Sequence, residues 1–362
     1  MGKSGYTPRS AFQAVGASMP ESPFSSFDHF SGAFVEGLRG VLQQPGLGAY
    51  ILVHANAVFD EAILTTLEAP LRQRFEILAA ECREALGNGR EINGAADDLL
   101  VFLKLMAIGF DGVQLNRFRR EGPWALQFNH LRSFRPARMA TAQVSGIHKS
   151  FNPAGFHFNK PFLRREVFWA GSLHGLEVEL LYNKFPFVPM HGLLVPERLD
   201  REPQFLSHPY HIYIWRLTEV LAETLSGVGF GYNSYGAYAS VNHLHFQMFL
   251  QQAAMPIADP RWVHNGGPEP YPLECQLFSC PEQAWEWLNQ QHLEETSYNL
   301  LYQPGCMYAV ARRKQGSYQH SPWTAGFGWS EVVGVITTFN QVDFETLEME
   351  TVLSEMKRLR LG

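Results

Sequence analysis

A chain of 362 residues that is 46% hydrophobic and only 18% charged has ample material for a core and too little charge for a disordered polymer. Its formal net charge of −6 argues against a general nucleic-acid binder, which must neutralise phosphates, though not against a local basic pocket. Four cysteines, at 82, 275, 280 and 306, form no Cys-x-x-Cys pair, as expected of a reduced, cytoplasmic protein without a disulfide framework.

Residues 1–27 read as a mobile tail. The Ser-, Pro- and Gly-rich start lacks the apolar core of a signal peptide, and Tyr6 breaks the myristoylation pattern begun by Met1-Gly2. Residues 28–116 form an N-terminal helical region, a packing or dimerisation module without a catalytic constellation. Its helices are expected over Glu61–Leu86, ended by Gly87-Asn88-Gly89, and over Leu99–Ile108, closed by Gly109. The run Leu99–Phe110 is interrupted by Lys104 and is too short to span a bilayer, so no membrane partner is expected.

Arg117, Arg119, Arg120, Arg132, Arg135 and Arg138 concentrate positive charge in an acidic chain. Between them Trp124–Asn129 alternates like a strand. This is either a face for a phosphate-bearing ligand or a solvated surface run. Phe156-His157-Phe158-Asn159 also reads as a strand, followed by Lys160, a phosphate contact or an ordinary surface lysine. A strand at Leu176–Leu181 precedes Asn183-Lys184-Phe185-Pro186-Phe187-Val188-Pro189-Met190-His191, which leads into an apolar strand ending at Pro196. Residues 209–226 form a helix, closed by Gly227.

A Gly-rich, flexible approach (Gly227, Gly229, Gly231, then Tyr232-Asn233-Ser234-Tyr235-Gly236) delivers Asn242-His243-Leu244-His245-Phe246-Gln247-Met248-Phe249-Leu250. The alternation is that of a half-buried strand, with His243, His245 and Gln247 on one face and Leu244, Phe246, Met248 and Leu250 on the other. Two imidazoles and an amide beside a loop of small residues suit phosphate chemistry. A metal site and accidental structural histidines are the competing readings, since the chain has 14 histidines. Beyond a Pro- and Gly-rich linker, a helix is expected at Glu282–His292. Strands are expected at Ser297–Tyr302, Met307–Arg312 and Glu331–Thr338, and a last helix at Asp343–Leu361.

The string Gly231 to Gln247, with its His243-x-His245-x-Gln247 core, resembles the GDP-L-galactose/GDP-hexose phosphorylase group. That group falls in the galactose-1-phosphate uridylyltransferase and diadenosine tetraphosphate phosphorylase branch of the histidine-triad superfamily. The segment Asn183–Pro196 is similar to a second signature of that superfamily. Gln127, Asn129, Arg132 and Arg135-Pro136 also stand in matching places. The resemblance covers roughly Gly122 to Phe344. It implies an α+β fold: a histidine-triad-like antiparallel sheet with helices, duplicated, with a catalytic half at 117–260 and a degenerate half at 261–362.

The implied activity is a nucleotidyltransferase that cleaves a nucleoside diphosphate sugar, GDP-hexose above others, with phosphate through a covalent nucleotidyl-histidine. His245 is the implied nucleophile, with Gln247 and His243 beside it. Asn233, Ser234, Gly236, Ser240, Asn242, Arg132, Asn129, Gln127, Lys160, Asn183 and His191 are the implied substrate contacts. Gln247 stands where hydrolytic triad proteins have a third histidine; it cannot give up a proton as an acid, which favours transfer over hydrolysis. A homodimer is expected and no cofactor is required. The alternatives are a dinucleoside polyphosphate phosphorylase, a zinc site at His191, His243 and His157, and a non-catalytic nucleotide sensor.

Overall fold

The computed structural model describes residues 22–135 and 144–361. Residues 22–27, the described end of the expected tail, include a 3-10 turn at Pro23–Ser25. Phe24 is buried and packs edge-on against Trp169 at 5.1 Å, because an aromatic at this point completes the apolar surface beneath the first helix.

Four helices follow: α1 (Phe27–Leu42), α2 (Leu47–Ala57), α3 (Glu61–Gly87) and α4 (Ala96–Ile108). Ser26 caps α1 by accepting from the His29 N–H, and Asp60 caps α3 by accepting from the Ala62 and Ile63 N–H groups. Helix α2 is buried on every side, as an all-round apolar helix must be. The strands β1 (Arg117–Glu121) and β2 (Trp124–Phe128) and the single-turn α5 (His130–Ser133) come next. They are followed by β3 (Val167–Leu173), β4 (Leu176–Tyr182), β5 (Gly192–Pro196), α6 (His208–Ala222), β6 (Val228–Asn233) and β7 (Phe246–Leu250). The last part holds β8 (Cys275–Phe278), α7 (Pro281–Leu293), β9 (Ser297–Gln303), β10 (Cys306–Arg312), α8 (Trp329–Val332), β11 (Val335–Thr338), α9 (Gln341–Thr346) and α10 (Met349–Arg358).

The expected α+β class is borne out. Eight strands form one antiparallel sheet in the order β3-β4-β5-β7-β6-β9-β10-β8. Its arrangement displays the duplication. In β5-α6-β6-β7 the last strand inserts between the first two, and β8-α7-β9-β10 repeats this order. The two units abut through their equivalent strands β6 and β9, with Gly231 opposite Leu301.

One face of the sheet carries α6 and the N-terminal helices in a single core, where Phe246, Met248 and Leu250 meet Ile214, Leu217 and Leu221. The Tyr182 hydroxyl, on β4, donates to the Phe34 carbonyl of α1 at 2.7 Å. The other face has two separate covers. Phe158 and Leu163 pack on Leu181 and Val195. The second cover is a small sheet, β1-β2-β11, in which β11 runs parallel to β2; it encloses Phe249, Leu301 and Trp329.

Four elements differ from expectation. Gly229 and Gly231 lie within β6 rather than in a flexible loop; a Cβ on Gly231 would stand 2.1 Å from the Trp329 indole, so close packing explains this glycine. Residues 157–160 form a turn before a 3-10 helix (Pro161–Glu166), because the consecutive His157 and Phe158 are both buried while Phe156 stays half exposed, which no strand alternation allows. Glu331 belongs to the short α8, its carboxylate accepting from the Gly328 N–H at 3.0 Å, and only Val335–Thr338 is strand. The last helix breaks in two at Leu347, which is extended and buried. Among the described residues, no helix is long and apolar enough to cross a membrane.

Candidate active site

Strand β7 begins at Phe246, so of the three motif side chains only Gln247 sits in regular strand. His243 and His245 lie just before it. Their backbone is held by the segment 202–204: the Leu244 N–H donates to the Glu202 carbonyl at 2.9 Å, and the Gln204 side chain takes both backbone groups of His245. Gln204 is buried and was not singled out by the sequence; an isolated Gln in a loop carries no periodic signal.

His245 is 6% exposed, and the Phe158 ring meets it edge-on at 5.1 Å. Its Nδ1 donates to the His243 carbonyl at 2.8 Å. That bond places the ring proton on Nδ1 and leaves the Nε2 lone pair free. Burial pushes its pKa down to about 4, so the ring is neutral at physiological pH.

The Phe158 N–H donates to His243 Nδ1 at 3.2 Å, which fixes the opposite tautomer, with the proton on Nε2. Burial, and then the neighbouring His245, push the His243 pKa down to about 4. The Arg198 backbone raises its basicity slightly, yet Nε2 is buried without a partner in hydrogen-bond geometry.

Gln247 lies between Leu193 of β5 and Gly231 of β6. The Phe187 N–H points at His191 Nδ1 at 3.4 Å, so His191 carries its proton on Nε2, 3.2 Å from Gln247 Oε1. With its oxygen held by His191, Gln247 presents its –NH2 group away from that ring. Burial, and then Arg132, push the His191 pKa down to about 3. His191 is fully buried. It holds the Gln247 Oε1 from within the fold at 3.2 Å.

Gln127, Asn129 and Arg132 bond within the fold. Each holds one of three successive carbonyls in the loop leading to His191: Arg132 Nη1 takes Phe185 at 2.6 Å, Asn129 takes Pro186 at 2.9 Å and Gln127 takes Phe187 at 2.8 Å. Two of them, Gln127 and Asn129, are fully buried. A Pro-rich loop cannot satisfy these acceptors within its own ladder, so side chains from β2 and α5 do it. Asn183 is held by its own loop, its Oδ1 accepting from the Phe185 N–H at 3.0 Å and its N–H donating to the His191 carbonyl at 3.0 Å.

The loop side chains make several bonds within the fold. Asn233 Oδ1 accepts from Asn299 and from the Trp329 N–H, both at 2.7 Å. Ser234 Oγ accepts from the Tyr298 N–H at 2.8 Å. Gly236 has φ +87 and would place a Cβ 2.4 Å from Ser297 Oγ, so it serves the turn. Asn242 ties its loop to the Lys149 and Ser150 carbonyls at 2.9 and 3.0 Å. Ser240 is exposed. The Lys160 ammonium reaches the Pro153 carbonyl at 3.5 Å.

Arg117 and Arg119 face away from the loop leading to His191, whereas Arg135 lies against it. Arg117 pairs with Glu345 at 3.4 Å, Arg119 pairs with Glu121 at 2.7 Å and bonds the Phe344 carbonyl, and Arg135 lies 5.7 Å from the Phe185 ring. Pro136 and Arg138 lie outside the described residues. Among the described residues, no three His, Cys, Asp or Glu side chains gather as a metal site. The set His191, His243 and His157 is thus not brought together: His157 lies beside His243, with ring centroids 6.4 Å apart, while His191 is engaged with Gln247 and Asn183.

Residues 121–249 match a family model described as GDPGP1-like, N-terminal domain. The match spans β2 to β7 and includes every motif residue from Gln127 to Gln247. GDP-D-glucose phosphorylase 1 of Danio rerio is 32% identical over 108 residues, 30% of this chain and 31% of its own length. The Homo sapiens protein of the same name is 31% identical over 121 residues, 32% of this chain and 31% of its own. GDP-L-galactose phosphorylase 1 of Arabidopsis thaliana is 35% identical over 134 residues, 32% of this chain and 29% of its own. The matched stretch thus spans under a third of these relatives. Among solved structures, yeast Ap4A phosphorylase Apa2 aligns with a TM-score of 0.48 at 15% identity, over 75% of this chain and 97% of its own. The resemblance drawn from the motifs is borne out by the family match and these relatives.

Proposed function

We propose that this protein is a nucleotidyltransferase that phosphorolyses a nucleoside diphosphate hexose, with GDP-hexoses as the foremost candidates. The observation that carries the reading is His245: a neutral, buried imidazole whose Nδ1 proton is given to the His243 carbonyl, leaving Nε2 as a nucleophile. The relatives named for GDP-D-glucose and GDP-L-galactose phosphorolysis support the substrate class.

In the first half-reaction Nε2 forms a bond to the α-phosphorus. The bond to the bridging oxygen breaks and hexose 1-phosphate leaves with the electron pair. In the second, a phosphate oxygen attacks the nucleotidyl-histidine, the N–P bond breaks, and nucleoside diphosphate leaves while His245 is restored. The Gln247 –NH2 donates to a non-bridging phosphoryl oxygen in both transition states. Because an amide supplies no acidic proton, the leaving group is one that departs already as a stabilised phosphate anion. No cofactor enters either step, and a homodimer, tested by sedimentation, belongs to the same reading. The test of the activity is a screen of guanosine, adenosine and uridine diphosphate hexoses with inorganic phosphate. Phosphate-dependent release of a nucleoside diphosphate is expected; release of the monophosphate at the same rate without phosphate would make the protein a hydrolase.

A further inference from the structure

Beyond the segment that resembles known proteins, the N-terminal helices reach the loop that carries His191 through two consecutive residues. Asn56, buried near the C-terminal end of α2, donates from Nδ2 to the Leu52 carbonyl at 2.8 Å and to the Asn183 carbonyl at 2.9 Å. Lys184, the next residue of the loop, pairs with Asp98 of α4 at 2.6 Å. A buried asparagine in an otherwise apolar helix is costly unless its amide is used. Here one of its donors leaves the helix and ends on the active-site loop.

Asn183 passes this restraint on through its backbone and its side-chain oxygen. Its N–H donates to the His191 carbonyl at 3.0 Å, its Oδ1 accepts from the Phe185 N–H and its carbonyl is taken by Asn56, while its side chain abuts the His191 ring. His191 in turn holds the Oε1 of Gln247 at 3.2 Å. Four residues from three parts of the chain thus form one connected path from α2 to the amide beside His245.

We propose that Asn56 is a positioning residue for nucleotidyl transfer, acting through Asn183 and His191 on the orientation of the Gln247 amide, so that the N-terminal helices belong to the catalytic apparatus. The proposal rests on the nucleotidyl-transfer reading above.

The test uses the full chain with Asn56→Leu, which keeps the volume and removes the amide, and with Asn56→Ser, whose hydroxyl can bond within its own helix but is too short to reach Asn183. The second variant carries the test if the first fails to fold. Single-turnover formation of the nucleotidyl-enzyme should fall roughly tenfold, the kinetic equivalent of one misdirected hydrogen bond, with KM little changed. In a Gln247→Ala background the same substitution should have no further effect on that rate. An equal fold-loss in both backgrounds, or no loss in the wild-type background, would overturn the relay. Nitrogen-15 spectra of His191 give a readout that needs no turnover. Its ring resonances should move in the Asn56 variants, and an unmoved His191 would refute the relay even if the transfer reaction were found not to occur. Absence of nucleotidyl transfer by the wild-type protein, with His191 still responding, would instead strike the functional reading and leave the structural relay standing.

Discussion

The Gln204 side chain replaces a neighbouring strand for His245. Its Oε1 accepts from the His245 N–H at 2.9 Å, and its Nε2 donates to the His245 carbonyl at 3.2 Å and to the Asn233 carbonyl at 2.9 Å. The ladder between β5 and β7 stops at Phe246, so this one amide fixes the backbone of His245. Gln204→Ala should lower stability by about 1–3 kcal/mol, the cost of buried backbone groups left unpaired. Formation of the nucleotidyl-enzyme should fall much further than the melting temperature implies. Normal formation in a folded Gln204→Ala protein would contradict the account.

Removal of His191 frees the Gln247 amide to rotate. His191→Leu should cut the rate of nucleotidylation by up to about 100-fold, the lower end of the loss when a transition-state donor is removed, because the Gln247 amide is misdirected and not deleted, while KM for the nucleotide sugar stays within about twofold. A rise in KM at constant kcat would mean that His191 meets substrate after all.

Gln247→His introduces a group able to give a proton to a leaving group or take one from water. The ratio of hydrolysis to phosphorolysis should rise. An unchanged ratio, measured as nucleoside monophosphate against diphosphate, would remove the argument from the amide's lack of an acidic proton.

Asn129 is a brace, tying the Pro186 carbonyl to the Arg132 N–H through its two amide ends. Asn129→Ala should cost about 1–3 kcal/mol of stability, since it strands two part-buried backbone groups. Loss of nucleotide affinity with unchanged melting would return Asn129 to a ligand-facing role.

Acid should unfold this protein early. His54, His191, His243 and His245 are held neutral by burial, with pKa values pushed down to about 3 or 4. Near the ordinary value of 6.5 they would begin to charge in the unfolded chain but not in the folded one. The unfolded state therefore binds more protons in the window from 6.5 down to about 4, and stability falls as pH falls through it. Above 6.5 these groups contribute no slope. Urea melts at pH 7.5, 6 and 5 should show midpoints that drop only below about 6.5; a flat series would contradict the burial of these rings as neutral species.

Periodicity made much of the scaffold legible. Helices α3, α4, α6 and α7 and strands β2, β4, β5, β9 and β10 lie close to where residue patterns put them, because each has one face in a core. The motif also pointed to His245 and Gln247. Chemical roles at the margin were harder to read. Gln127, Asn129 and Arg132 resemble ligand contacts by type, but a polar residue that braces a buried carbonyl has the same composition as one that meets a phosphate. Gly231 looked like loop flexibility, whereas the Trp329 indole that requires it lies 98 residues away in the sequence, beyond any local pattern. Gln204 and Asn56 act through long-range hydrogen bonds to isolated backbone groups, which leave no periodic trace.

The most direct test of the account is the covalent intermediate. The protein is incubated with a nucleoside diphosphate hexose in the absence of phosphate, and the intact chain and its peptides are weighed by mass spectrometry. One nucleoside monophosphate per active chain is expected, on His245, in an acid-labile and alkali-stable linkage, and added phosphate should discharge it as nucleoside diphosphate. An unmodified chain across guanosine, adenosine and uridine donors, in a preparation that still turns one of them over, would contradict the covalent route.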